Sequence, residues 1–266
     1  MSFLERRPAA RLRGIVERLW RVDESAADHP SPETICPDGR TEIVLHLADP
    51  MQQQLGDQRI DQPRSLLVAQ MDGPITVVPT GRVSMVGARL VSGALHRLLP
   101  VPQDRLAGQI LDLETVWQSW ARVTADRVAS APSAAASLVT FERALEALVP
   151  DVPVGADTRA MDDAIAALRA SGGNAAIDRL AHATELSRRQ FERRFAERVG
   201  LSPRLFGRIV RFQRAFRHLG RETGADVAAR CGYADQAHLV REIRRFAGQT
   251  PSALTQADGL TAFFVS

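Results

Sequence analysis

Two short stretches concentrate side chains suited to recognising something flat and polar. In SRRQFERRF, residues 187–195, Phe191 and Phe195 are four apart and define an inward stripe. Arg188, Arg189, Glu192 and Arg193 are left on the outward face. In DQAHLVREIRRF, residues 235–246, Leu239, Ile243 and Phe246 point inward. Gln236, Ala237, His238, Val240 and Arg241 are left outside. The chemistry of such faces is hydrogen bonding, not bond breaking. An arginine fork fits the O6 and N7 of guanine, and glutamine fits adenine. Glutamate accepts from cytosine N4, and an apolar side chain meets a thymine methyl. A plain solvated helix would use the same residue types, so the elements that carry these faces decide between the two.

Those elements repeat. LAHATELSRRQFERRFAERVGLSP runs from Leu180 to Pro203, and VAARCGYADQAHLVREIRRFAGQTP from Val227 to Pro251. Each opens on an aliphatic residue followed by alanine. Each has a turn hydrophobic six residues on, Leu186 or Tyr233, then the inward pair, then Gly200 or Gly248, then Ser-Pro or Thr-Pro. A duplication with so many matched roles marks one structural unit used twice. Each copy is expected to be a short helix, a tight turn and a longer helix. Gly232 gives the second turn its backbone freedom. Ser187 caps the first long helix in a capping box with Gln190, and Asp235 caps the second. This is a helix-turn-helix, which presents its second helix to the major groove. The helix N-termini at Ser187 and Asp235, with Arg194, Arg208, Arg211, Arg244 and Arg245, would then serve phosphates.

Charge supports this division. The net charge of +3 conceals a split: residues 174–251 hold 16 Arg and 8 Asp/Glu, and residues 1–173 hold 18 Arg and 22 Asp/Glu. There is no lysine. A basic third on an acidic remainder implies a polyanion partner for one domain only.

The rest of the chain sets the domains. TEIVLHL (41–47) alternates, with Ile43, Leu45 and Leu47 on one face and Glu42, Val44 and His46 on the other. RSLLVAQM (64–71), ITVVP (75–79) and VSMVGARL (83–90) are further strands, and VERLWRVD (16–23) is an edge or first strand. Helical grain follows, with LETVWQSWARV (113–123) and SLVTFERALEALV (137–149). The expected fold is α+β: an antiparallel β-rich domain over 1–150 with helices at its end, a linker over 151–157, and an all-α domain over 158–256. In the last of these, Met161, Ile165 and Leu168 form a stripe, Asn174 caps the next helix, and Ser202-Pro203 starts a connecting helix over 203–219.

The pattern LAHATELSRRQFERRF…GLSPRLF, followed by VAARCGYADQAHLVREIRRFAGQTPSAL, resembles the AraC/XylS-type transcription regulators over residues 158–255. The resemblance implies seven helices, with two helix-turn-helix units joined by one long helix and entering successive major grooves. It implies base-reading places for Arg189, Glu192 and Arg193, and for Gln236, His238 and Arg241. This chain has Glu185 where the family often has glycine. The N-terminal part is similar to the cupin-like sheets that bind an effector or dimerise in such regulators.

Other chemistry is weaker. Cys36 raises an alternative, a DNA alkyl-damage response protein with Cys36 as alkyl acceptor, but packing is the better reading for both cysteines. His46 and His96 lack metal-ligand spacing. Trp20, Trp117 and Trp120 could line a ligand pocket but suit a core or a dimer surface better. Arg40 and Glu42, beside the turn, could hold a polar effector but suit a surface ion pair better. No catalytic residues, cofactor or metal are expected. The expected partner is double-stranded DNA; candidate partners are a small-molecule effector, a second copy of the chain and RNA polymerase. The N-terminus shows no apolar signal segment and no run suits a membrane span, so a cytoplasmic location is expected.

Overall fold

The computed structural model describes residues 1–25, 31–151 and 155–256. Among the described residues the first part holds ten strands: β1 Ser2–Arg6, β2 Val16–Glu24, β3 Glu33–Ile35, β4 Glu42–His46, β5 Gln52–Leu55, β6 Gln58–Asp61, β7 Ser65–Val68, β8 Ile75–Val78, β9 Val83–Leu90 and β10 Ile110–Asp112. They form two antiparallel sheets, in the orders β1-β2-β9-β4-β7-β10 and β3-β8-β5-β6. Strand β2 is not an edge. It lies between β1 and β9, and residues 2–6 cover it instead.

Both faces of the larger sheet are buried, and this follows from the period of two. Ile43 and Leu45 on β4, with Val86 and Ala88 on β9, join a core with Leu113, Leu138 and Phe141. The latter come from α2 Leu113–Ala129 and α3 Ala134–Glu146, which follow the short α1 Leu95–Leu98. Helix α2 is broken at Trp117 and Gln118, where the backbone leaves helical geometry. On the opposite face Trp20, Val44 and Met85 pack with Met51 and Val77. The alternation expected for β4 is present, yet its polar face is not at the surface: Glu42 and His46 are both buried.

Among the described residues seven helices follow: α4 Ala156–Ala170, α5 Ile177–Ala183, α6 Arg188–Val199, α7 Pro203–Phe216, α8 Gly224–Cys231, α9 Gln236–Ala247 and α10 Pro251–Gln256. Of the expected linker, residues 152–154 lie outside the described residues, and α4 already includes Ala156 and Asp157. One core unites these helices, with Met161, Ile165 and Leu168 against Phe191, Phe195, Phe206, Phe212 and Phe246. Helix α7 ends at Phe216, short of the expected 219. Asn174 does not cap α5, whose N-cap is Ala176 without a side-chain bond. The Asn174 amide instead reaches the Cys231 carbonyl at 3.3 Å, joining the α4–α5 turn to the end of α8. The turn after α4 meets α7 backbone to backbone: a Cβ on Gly173 would run into the Gly207 carbonyl oxygen.

Candidate nucleic-acid interface

Each helix-turn-helix is built by local signals. In the first, α5 ends at a turn where Glu185 takes φ +55°, the left-handed place that glycine usually fills. Ser187 then caps α6: its Oγ accepts from Gln190 N, and Gln190 Oε1 accepts from Ser187 N at 3.1 Å. In the second, α8 ends at Gly232 with φ +79°, and Asp235 caps α9 by accepting from His238 N at 2.6 Å. Tyr233 is buried between the two helices, with its ring against His238. The Asp235→Ala variant removes this cap, and we expect a loss of about 1 kcal/mol in denaturant unfolding. Unchanged stability would argue that the cap contributes nothing.

The outward faces stand as the inward stripes require. Phe191, Phe195, Leu239, Ile243 and Phe246 are buried. Arg188, Arg189, Arg193, Gln236, Ala237 and Arg241 are exposed, and Glu192, His238 and Val240 are half-buried. Arg188 lies between Asp178 and Glu192 at 3.0 and 3.1 Å, and Arg193 pairs with Glu197 at 2.8 Å. These exposed pairs are weak and exchangeable.

The other arginines divide into two groups. Arg194, Arg244 and Arg245 are exposed. Arg208 is held by Glu242 in a two-pronged pair at 2.7 and 2.9 Å, tying α7 to α9. Arg211 turns into the fold, donating to the Gly173 carbonyl at 3.1 Å with its guanidinium over the Tyr233 ring. Arg211 is committed to packing, whereas the Arg208 side chain stays 38% exposed in its pair with Glu242. The residue types alone do not separate them from the exposed group, because the difference lies in tertiary partners. Helix α7 has 14 residues, about 21 Å at 1.5 Å per residue.

The β-rich part offers a different site. Between the two sheets lies a cavity of about 100 Å³, lined mainly by apolar side chains such as Trp20, Val44, Leu66 and Met85. Its polar end holds a buried network. Arg89 binds Glu42 at 2.8 Å and Asp38 at 3.1 Å. Arg40 binds Glu17 through both Nε and Nη2. So Arg40 and Glu42 each have another partner, and neither makes the surface pair expected. The sequence showed no sign of this, because Glu17 and Arg89 are far away along the chain. Cys36 lines the same cavity, and burial pushes its thiol up to about 12. The nucleophile is the thiolate, so this environment argues against an alkyl acceptor. Cys231 is buried in the helical core. His46 is also buried, with Nε2 against Gln62 Oε1 at 3.1 Å. Trp117 and Trp120 pack edge to face on the far side of the larger sheet, away from the cavity. Among the described residues no cluster of His, Cys, Asp and Glu could hold a metal, and no helix is long and apolar enough to cross a membrane.

This geometry defines a protein with a β-rich part and a helical part holding two helix-turn-helix units. Residues 180–257 match a family model described as a helix-turn-helix domain, and residues 4–112 match one described as a domain of unknown function (DUF6597). No curated protein matches the chain. Among solved structures, the chain is similar to a point variant of apo ToxT from Vibrio cholerae, with 10% identity and a TM-score of 0.50 over 96% of this chain and 100% of that one. It is also similar to the DNA-binding domain of AdpA, solved in complex with a target DNA, with 28% identity and a TM-score of 0.33 over 35% of this chain and 87% of that one. The helical part thus carries the helix-turn-helix domain, and the chain as a whole shares the two-part fold of the ToxT structure.

Proposed function

We propose that the protein regulates transcription from the cytoplasm by laying α6 and α9 in successive major grooves of one duplex. In this reading Arg188, Arg189, Glu192 and Arg193 read bases in one groove, and Gln236, His238 and Arg241 in the next. Phosphates are held by the N-termini capped by Ser187 and Asp235 and by Arg194, Arg244 and Arg245. Arg208 and Arg211 instead brace α7 against its neighbours. Residues 158–256 act as the DNA-binding domain, 1–150 as the effector domain, and 151–157 as the linker. The apolar cavity between the sheets is where a small effector would sit. The observation that carries the reading is the repeated outward face, polar and exposed on both α6 and α9 above a fully buried aromatic and aliphatic stripe.

The test is base preference. Arg193→Ala and Arg241→Ala should each relax selection at one position of a site recovered from random duplexes, at a cost of about 1–3 kcal/mol. If discrimination survives both changes, these helices do not read bases.

A further inference from the structure

The cavity and the seam between the two parts of the chain share one turn. Cys36, Pro37 and Asp38 line the cavity. The helical part grips the same turn from behind. The Pro37 carbonyl accepts from Gln213 Nε2 on α7 at 2.8 Å. The Asp38 carbonyl accepts from both terminal nitrogens of Arg169, at the end of α4, at 3.0 and 3.3 Å. The Arg169 guanidinium lies over the Phe206 ring of α7, 5.5 Å from its centroid. Gly39 abuts that ring so closely that an added Cβ would come within 2.9 Å of it. The Asp38 carboxylate faces the other way, to Arg89. One turn therefore forms the wall of an apolar cavity and the mooring of the helix that separates α6 from α9.

The cavity's lining also selects its ligand. Its charged residues are Glu33, Asp38 and Glu42 against Arg40 alone, and the Arg40 guanidinium is taken by Glu17. An anion entering here would lose its water and gain no unpaired cation, at a large cost in low dielectric. A neutral molecule loses little and buries its apolar surface. A single N–H or O–H on it would find acceptors at the acidic end.

The geometry points to a small, neutral, largely apolar ligand with one hydrogen-bond donor, whose occupancy of this cavity is passed to α7 through the turn Cys36–Asp38. This rests on the reading of the chain as a DNA-binding regulator. Coupling of this kind is reciprocal: the ligand alters DNA affinity by the factor by which DNA alters ligand affinity.

The probe is indole, with indole-3-acetate as its anionic counterpart, titrated into the full chain by calorimetry. We expect indole to bind and the acid to bind about tenfold more weakly or not at all. Saturating indole should shift affinity for a selected duplex by about fivefold or more. Gln213→Leu, and separately Arg169→Met, should keep both indole binding and DNA binding while the shift collapses. If indole does not bind, or the acid binds as well, the ligand class is wrong. Indole binding without a shift, or a full shift in both variants, overturns the coupling. A chain that selects no duplex from a random pool sinks the regulator reading and the coupling with it, and indole binding stays separately measurable.

Discussion

Binding of the full chain to its duplex site weakens by roughly 40-fold when monovalent salt rises from 50 to 200 mM. Each phosphate neutralised by an arginine frees condensed counterions, and the logarithm of the affinity falls by about 0.9 per contact for each decade of salt. The exposed arginines placed on phosphates are Arg194, Arg244 and Arg245. Contacts from these three give the stated loss. The intramolecular pair of Arg194 with Asp157 does not prevent this. Exposed pairs are worth only about 0–1 kcal/mol, and a phosphate can replace them. Fluorescence anisotropy titrations across the salt series supply the slope. Arg244→Gln should flatten it by about one contact without altering which sequence is preferred. A nearly flat dependence would mean that these arginines do not meet the backbone.

The largest stability effect belongs to Arg89→Met. Arg89 sits with its side chain 6% exposed between Glu42 and Asp38, themselves 7% and 14% exposed. Both carboxylates hold its proton more tightly than usual, which offsets the opposing effect of burial. Methionine fills much of the volume but leaves two acids close together in a dry interior. Removing one side of such a group costs about 3–5 kcal/mol, because the remaining charge is uncompensated. In a chain of this size that lowers Tm by roughly 6–20 °C. The same principle supplies the control: adding Glu42→Leu and Asp38→Asn to Arg89→Met should recover most of the loss, since a buried ionic group can be exchanged for apolar packing at little cost. If Arg89→Met unfolds with the parent's midpoint, the network is open to water and stabilises little.

The helical half was legible because its signals are local. Ser187 with Gln190, Ser202 with Pro203, and Asp235 each mark a helix start within four residues. The aromatic stripes fix which face is hidden. What escaped in this half depended on contacts across the chain: Asn174 bonds the end of α8 rather than capping α5, and Arg211 turns inward to Gly173. The β-rich half was harder. Strand β9 was found at its observed bounds because VSMVGARL is apolar and bracketed by turns. Strands β5 and β6, QQQL and QRID, carry almost no apolar alternation and are set by pairing with each other and with β8. Glu42 misled because it was read as half of a surface ion pair with Arg40. Both faces of its sheet are inside, one against helices and the other against the second sheet. The cavity was invisible for the same reason: its wall is gathered from strands and turns that meet only in the folded chain.

The contact of Gly173 with Gly207 has a consequence for how the protein can vary. With backbone against backbone, the spacing of the α4–α5 turn from α7 has no adjustable shim. Any larger residue at Gly173 wedges that turn away from the bar on which both DNA-facing helices are mounted. We expect substitutions there to cost stability as well, because Gly173 is buried and holds φ +80°, where a side chain is strained.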